Sequence, residues 1–289
     1  ILQAAEIRTS LGGREDLDKA EALIKRAQGL AAEDTGAATM LAARAWHQGR
    51  TADMRLMLAL DSSGDSKVLL DYSLLGAIIK TLDRDEEATE AVEELRVQSD
   101  GIGDANQQGI SVNLVIRLLD ILNELVAGQE RPREEILAQV MAAAARFPDQ
   151  SLIQTLVGDI FSELGQSGPA TDAWARGLEI ERHKSAPIAN RLINGLLADG
   201  SIHRAFEEAV EVAGRTQTIQ GAVLLCRAWM ALESAGIPPQ SVVPSFSLAD
   251  SALEFIETLI AAVEQGEGDA MFLQPLLAQA AVRSGEMDL

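Results

Sequence analysis

A spacing of 34 residues runs through the first third of this chain and constrains its fold more than any other feature. Lined up from starting points 1, 35 and 69, apolar or small residues recur in the same columns. Leu11, Ala45 and Ile79 share the eleventh place, Ala20, Met54 and Ala88 the twentieth, and Ile24, Leu58 and Val92 the twenty-fourth. A fixed period of about 20–50 residues marks an array of small units, each hiding its apolar face only against a neighbour. Apolar residues make up 47% of the chain but aromatics only 3%, so Ala and Leu supply the bulk. That composition suits closely packed helices better than sheets, which favour β-branched and aromatic residues.

The same frame continues from Ser151 in the stretch LVGDIFSELGQSGPATDAWARGLEI (156–180). Its eighth place is Gly158, its eleventh Phe161, its fifteenth Gly165, its twentieth Ala170 and its twenty-fourth Trp174; Pro148 precedes it. Glycine inside a helix costs roughly 1 kcal/mol relative to alanine, so Gly158 needs a reason, and accepting the bulk of Trp174, Phe161 or a neighbouring helix is the one expected. Gly165 is expected to end the first helix in a left-handed cap, and Gly168-Pro169 to make the turn and begin the second.

These residues resemble the tetratricopeptide repeat, a helix-turn-helix of 34 residues with the pattern W-x2-L-G-x2-Y, then A-x3-F, then P. Val157-Gly158, Phe161, Ala170, Trp174 and Pro148 stand in the places of L-G, Y, A, F and P; Leu75-Gly76, Ile79, Ala88 and Val92 make a second match. The W place departs from the pattern, holding Gln154 and Tyr72. In a unit starting near Ala222, Trp229 stands where glycine is expected.

The resemblance implies an all-α, right-handed α-solenoid of about seven antiparallel helix pairs plus a terminal helix. Its approximate repeats are 1–34, 35–68, 69–102, 103–150, 151–185, 186–220 and 221–268, with a final helix at 269–287. The whole is expected to be one TPR-like domain, and a piece of a longer protein because it opens on Ile1. Two units are longer than the period. Residues 103–150 include the charged turn GQERPRE, where Pro132 suits a helix's first turn. Residues 237–249, IPPQSVVPSFSLA, carry three prolines and read as a loop, with Asp250 or Ser251 near the next helix start.

Formal charge is −20, from 44 acidic and 24 basic residues. Such a surface repels phosphate backbones and anionic lipid heads, which disfavours nucleic acid and membrane surfaces as partners and favours a basic peptide or protein segment. No apolar stretch has the length of a membrane span. The compartment, cytoplasmic or periplasmic, is left open.

Chemistry is sparse. DRDEEATEAVEE (83–94) imitates a calcium loop, but its sixth place is Ala88 where that loop requires glycine, so it reads as a solvated acidic helix face. DGIGDAN (100–106) lacks the third glycine of a dinucleotide loop. His47, His183 and His203 are far apart and form no zinc-helix spacing. Cys226 lies in the apolar run AVLLCRAWMAL and is expected to be a buried, inert thiol. No catalytic residue, cofactor or metal site is expected.

The resemblance also implies a concave face, lined by first helices, that binds a peptide or protein segment. Groove places in the unit from Ser151 are Leu152, Thr155, Asp159, Ser162 and Glu163; in the next they are Pro187, Asn190, Asn194, Leu197 and Ala198. In the N-terminal half they include Trp46, His47, Ser73, Ala77 and Lys80. Asn190 and Asn194, with Arg191 beside them, present amides that donate to and accept from an extended backbone. The family's carboxylate clamp lacks its lysines, Asn190 and Val223 standing in their places. The expected face is Trp46, His47, Lys80, Asp159, Glu163, Asn190, Arg191 and Asn194. Non-catalytic scaffold, regulatory module of a larger protein, and self-assembling homo-oligomer are the three functions carried forward.

Overall fold

Every regular element among the described residues of the computed structural model is a helix. The described residues are 73–81 save 75 and 79, then 86–102, 112–129, 131–216, 219–247, 249–265 and 273–284. By packing the chain divides into two compact units, Ile1–Ile188 and Ala189–Leu289.

The first unit contains α1 (Ala88–Ile102), α2 (Val112–Val126), α3 (Arg133–Arg146), α4 (Ser151–Glu163) and α5 (Ser167–Ile180). In VNLVIRLLDILNELV, apolar residues fill far more than one stripe, and α2 is buried at Val112, Val115, Ile116, Leu118, Leu119, Ile121 and Leu122. An arc that broad requires neighbours on two sides, and α2 packs against both α1 and α4. In contrast, α3 buries only Ile136, Val140 and Ala143, the single stripe of an outer helix. Leu119, Val140, Leu156 and Ile160 join one continuous core; each large aliphatic side chain so buried contributes about 1.5–3 kcal/mol.

The second unit takes most of α6 (Ala186–Ala198), then α7 (Ile202–Thr216), α8 (Ile219–Ser234), the short α9 (Pro239–Val242), α10 (Ala252–Gln265) and α11 (Gln274–Ser284). Here α8 is the central element, packed against α7, α10 and α11. The start of α10 matches the sequence expectation. Ser251 Oγ accepts the Glu254 N–H (3.2 Å), and the Glu254 carboxylate accepts the Asp250 N–H (2.9 Å), a variant of the capping box. From α8, Glu233 adds a third cap by accepting the Ala252 N–H at 3.0 Å.

Helices α2, α4, α6 and α8 all end in the same way. At the end of α4, Gly165 lies at φ +69°, its N–H bonds Ser162 O (2.9 Å), and the Gln166 N–H reaches back to Phe161 O (2.8 Å). This double closure satisfies carbonyls that a helix end leaves open, and its left-handed residue is one that glycine adopts without strain. Gly128, Gly200 and Gly236 close α2, α6 and α8 with the same bond pair. These four glycines are 37, 35 and 36 residues apart. The period read from apolar columns in the N-terminal third is therefore also legible in helix ends further along, slightly lengthened. At the end of α5 the same closure is made by Arg182 (φ 52°) and His183 (φ 60°), without glycine.

Three local expectations shift. Helix α5 begins at Ser167, so Gly168-Pro169 falls inside its first turn rather than before it. Pro132 stands just before α3, its carbonyl accepting the N–H groups of Glu135 and Ile136. The segment 237–249 is not loop throughout, since Pro239 and its neighbours form α9.

Candidate binding face

The join between α4 and α5 explains the interior glycines. A Cβ placed on Gly158 would lie 2.5 Å from both Cδ1 and Nε1 of Trp174, closer than any methyl group can approach an indole. The indole therefore lies directly on the α4 backbone, and its Nε1 donates to Asp159 Oδ1 at 2.9 Å. One turn from Trp174, Gly177 meets α4 in turn: a Cβ there would come 3.3 Å from Ser151 O and 3.4 Å from Thr155 Oγ1. Each helix thus offers a glycine where the other approaches, and the two are held closer than residues with side chains permit.

This join uses up several expected groove positions. Thr155 is buried beneath Gly177, its hydroxyl donating to Ser151 O at 2.8 Å, so it does not line an open face. Asp159 is half-buried and committed to Trp174. Glu163, the last residue of α4, is exposed. Gln154, in the family's W place, is fully buried and donates to Ala144 O (3.3 Å) and Phe147 O (3.2 Å), so it closes the end of α3 where an indole was the expected filler.

Helix α6 carries the next set of expected groove positions. Asn190, Asn194 and Ala198 are exposed and Pro187 and Leu197 half-exposed, whereas Ile188, Ala189, Leu192, Ile193 and Leu196 are buried. Asn194 Nδ2 donates to Asn190 Oδ1 at 3.0 Å, and Arg227 Nη1 approaches the same oxygen at 3.4 Å from α8. Two amides from α6 and a guanidinium from α8 thus form one exposed array. With Asn190 Oδ1 accepting both bonds, its amide Nδ2 is a donor and the guanidinium carries further N–H groups. Arg191, beside them in sequence, is half-buried.

Arg227 was missed in the sequence. Its signal was the spacing: it follows Arg191 by 36 residues, as Gly236 follows Gly200. Its neighbour Cys226 was expected to be buried, as it is. One residue is a turn of about 100° on a helix, enough to separate the two: Cys226 is fully buried while Arg227 is exposed. Burial pushes the Cys226 thiol up to about 12, which keeps it protonated and unreactive at neutral pH.

Lys80 Nζ pairs with the Glu87 carboxylate at 2.7 Å, and Ala77, a groove place by the family frame, is buried in the core of the first unit. Lys80, Asp159 and Glu163 belong to the first unit, Asn190, Arg191 and Asn194 to the second. Trp46 and His47 lie outside the described residues. Within the calcium-like stretch, Ala88 is buried at the start of α1 while Glu86, Glu87, Glu90, Glu93 and Glu94 are exposed. Among the described residues no three His, Cys, Asp or Glu side chains are placed to hold a metal ion, and no helix is long and apolar enough to cross a membrane.

No protein-family model matches the chain, and no curated protein or solved structure matches it.

Proposed function

We propose that the chain is a non-catalytic interaction scaffold. In this reading it is a tetratricopeptide-like, right-handed α-solenoid of about seven helix pairs and a terminal helix, which binds an extended peptide or protein segment on the face of its first helices. The observation that carries the reading is the exposed array of Asn190, Asn194 and Arg227. Amides one turn apart pair with a peptide backbone, donating and accepting at once, and demand no particular side chain from the ligand. The formal charge of −20 favours a segment with basic residues, drawn by the surrounding field rather than by the array itself.

The test is site-specific photo-crosslinking in the organism's own cells. A benzophenone residue at position 194 is expected to capture a discrete polypeptide, whereas one at Glu207 on α7 captures none. Combining Asn190→Ala and Arg227→Ala with the crosslinker at 194 should abolish the product without changing helix content by circular dichroism. Equal capture at both positions, or capture indifferent to the alanines, contradicts the reading.

A further inference from the structure

Between α8 and α10 the chain packs back on α7 and α8 through the short α9 and through one buried residue, Phe246. Around Phe246, residues 244, 245 and 247 are exposed, yet Phe246 itself is only 5% exposed. Its ring stands edge-on to Phe206 of α7 (5.0 Å, 75°) and to Trp229 of α8 (4.8 Å, 88°). Aromatic rings favour this edge-to-face arrangement beyond the area they bury. Phe246 therefore fits its slot as an aromatic ring, not merely as apolar bulk.

Among the described residues, every hydrogen bond of residues 238–247 closes within that segment. The Ser241 N–H and hydroxyl donate to Pro238 O, the Val243 N–H to Pro239 O, and the Phe246 N–H to Val243 O. The backbone thus makes no polar tie to α7, α8 or α10; packing of Phe246 and of the short α9 holds it there. The slot is also imperfect for its occupant. Trp229 is 1% exposed and its Nε1 finds no acceptor among the described residues, an arrangement with a desolvation cost that Phe246 does nothing to relieve.

We propose that residues 238–247 form a displaceable strap, whose Phe246 fills in cis an aromatic slot between Phe206 and Trp229 that an aromatic side chain of a protein partner fills when the strap lifts. Only in naming what replaces Phe246 does this rest on the scaffold reading. The partner's segment resembles the strap itself: proline-bounded, without internal helix at the ring, and presenting one aromatic residue. A hydrogen-bond acceptor beside that ring would satisfy Trp229 Nε1 and let the partner outcompete Phe246.

The experiment uses the full chain and the strap's own sequence as probe. Two variants open the slot: Phe246→Ala, and replacement of residues 239–247 by a glycine-serine linker of equal length. A fluorescent peptide, IPPQSVVPSFSLA, is titrated by anisotropy. Both variants should keep the helix content of the unaltered chain and bind the peptide saturably. The unaltered chain should bind it at least about tenfold more weakly, the factor expected when a competing segment closes the slot nine-tenths of the time. The same peptide with alanine in place of phenylalanine should not bind. Absence of binding, equal binding by the unaltered chain, or loss of helix in both variants overturns the proposal, the last because a displaceable strap leaves a folded slot behind. These outcomes are independent of crosslinking at position 194, so the strap and the scaffold reading fail separately.

Discussion

At the eighth place of the repeat frame, the first unit carries Gly158 and the second carries Trp229. In the first unit the second helix of a pair supplies the indole, Trp174, and the first helix supplies the hollow. In the second unit α8 supplies the indole, and its ring neighbours are Phe246, edge-on at 4.8 Å, and Phe255, tilted at 5.9 Å. The two joins solve one packing problem with knob and hole exchanged. They also differ in polarity, since the Trp174 N–H is bonded to a carboxylate and the Trp229 N–H has no partner among the described residues. What such a frame specifies is the volume between paired helices, not which helix fills it.

Removing each knob sharpens that contrast most. Trp174→Ala leaves the ring's space bounded on one side by Gly158, which has no side chain to move in, whereas Trp229→Ala leaves Phe246 and Phe255 able to lean inward. Within the range of about 3–5 kcal/mol for Trp→Ala in cores, Trp174→Ala should fall near the top and Trp229→Ala near the bottom. Urea unfolding of the two variants, followed by circular dichroism, measures the difference. Equal losses would break the comparison.

Replacing each indole by a benzene ring isolates the polar difference. Trp174→Phe removes a hydrogen bond to a charged acceptor and should cost about 1.5–3 kcal/mol. Trp229→Phe removes a donor that bonds nothing, and should cost less than about 1.5 kcal/mol, as conservative core swaps do. The gap between the two in the same unfolding assay is the reading.

A smaller effect comes from the α1–α2 contact in the first unit, for which the second offers no counterpart among the described residues. Burial raises the Asp120 carboxyl above its ordinary 3.8, against the opposing pull of Arg96, whose Nη2 lies 2.7 Å away. The folded chain therefore binds more protons at this site than the unfolded chain, and its contribution to stability declines as pH rises above 3.8. Asp120→Asn should remove that decline, so the variant gains on the parent as pH rises through this window. Thermal melts of both chains from pH 3 upward check the sign.

Much of the scaffold could be read from residue order because helix ends and interior glycines are short-range chemistry. Gly165 as a left-handed cap and Ser251 with Glu254 as a helix start need only their own neighbours. Gly158 as a receptor for Trp174 needed the repeat frame as well, which brings positions sixteen apart onto facing helices. The candidate face was harder, because it depends on helix rotation. A turn of about 100° per residue is invisible to a 34-residue frame that permits slips of one, and so Thr155 was placed outward but is buried, while Arg227 was overlooked. Phe246 was hidden for another reason: its burial depends on ring partners in two other helices, and prolines around it give only the signature of a loop.

Gly158→Ala tests the account most directly, because two physical effects there have opposite signs. Helix propensity alone predicts that alanine stabilises α4 by roughly 1 kcal/mol. A Cβ 2.5 Å from the Trp174 ring predicts instead a loss of about 1–3 kcal/mol, as overpacked cores show. The measurement is the urea midpoint of the variant against the parent, repeated in a Trp174→Leu background, where the clash is gone and alanine should become neutral or stabilising. A lower midpoint that recovers in that background is the predicted result. A higher midpoint with Trp174 in place would contradict the claim that this glycine exists to receive the indole.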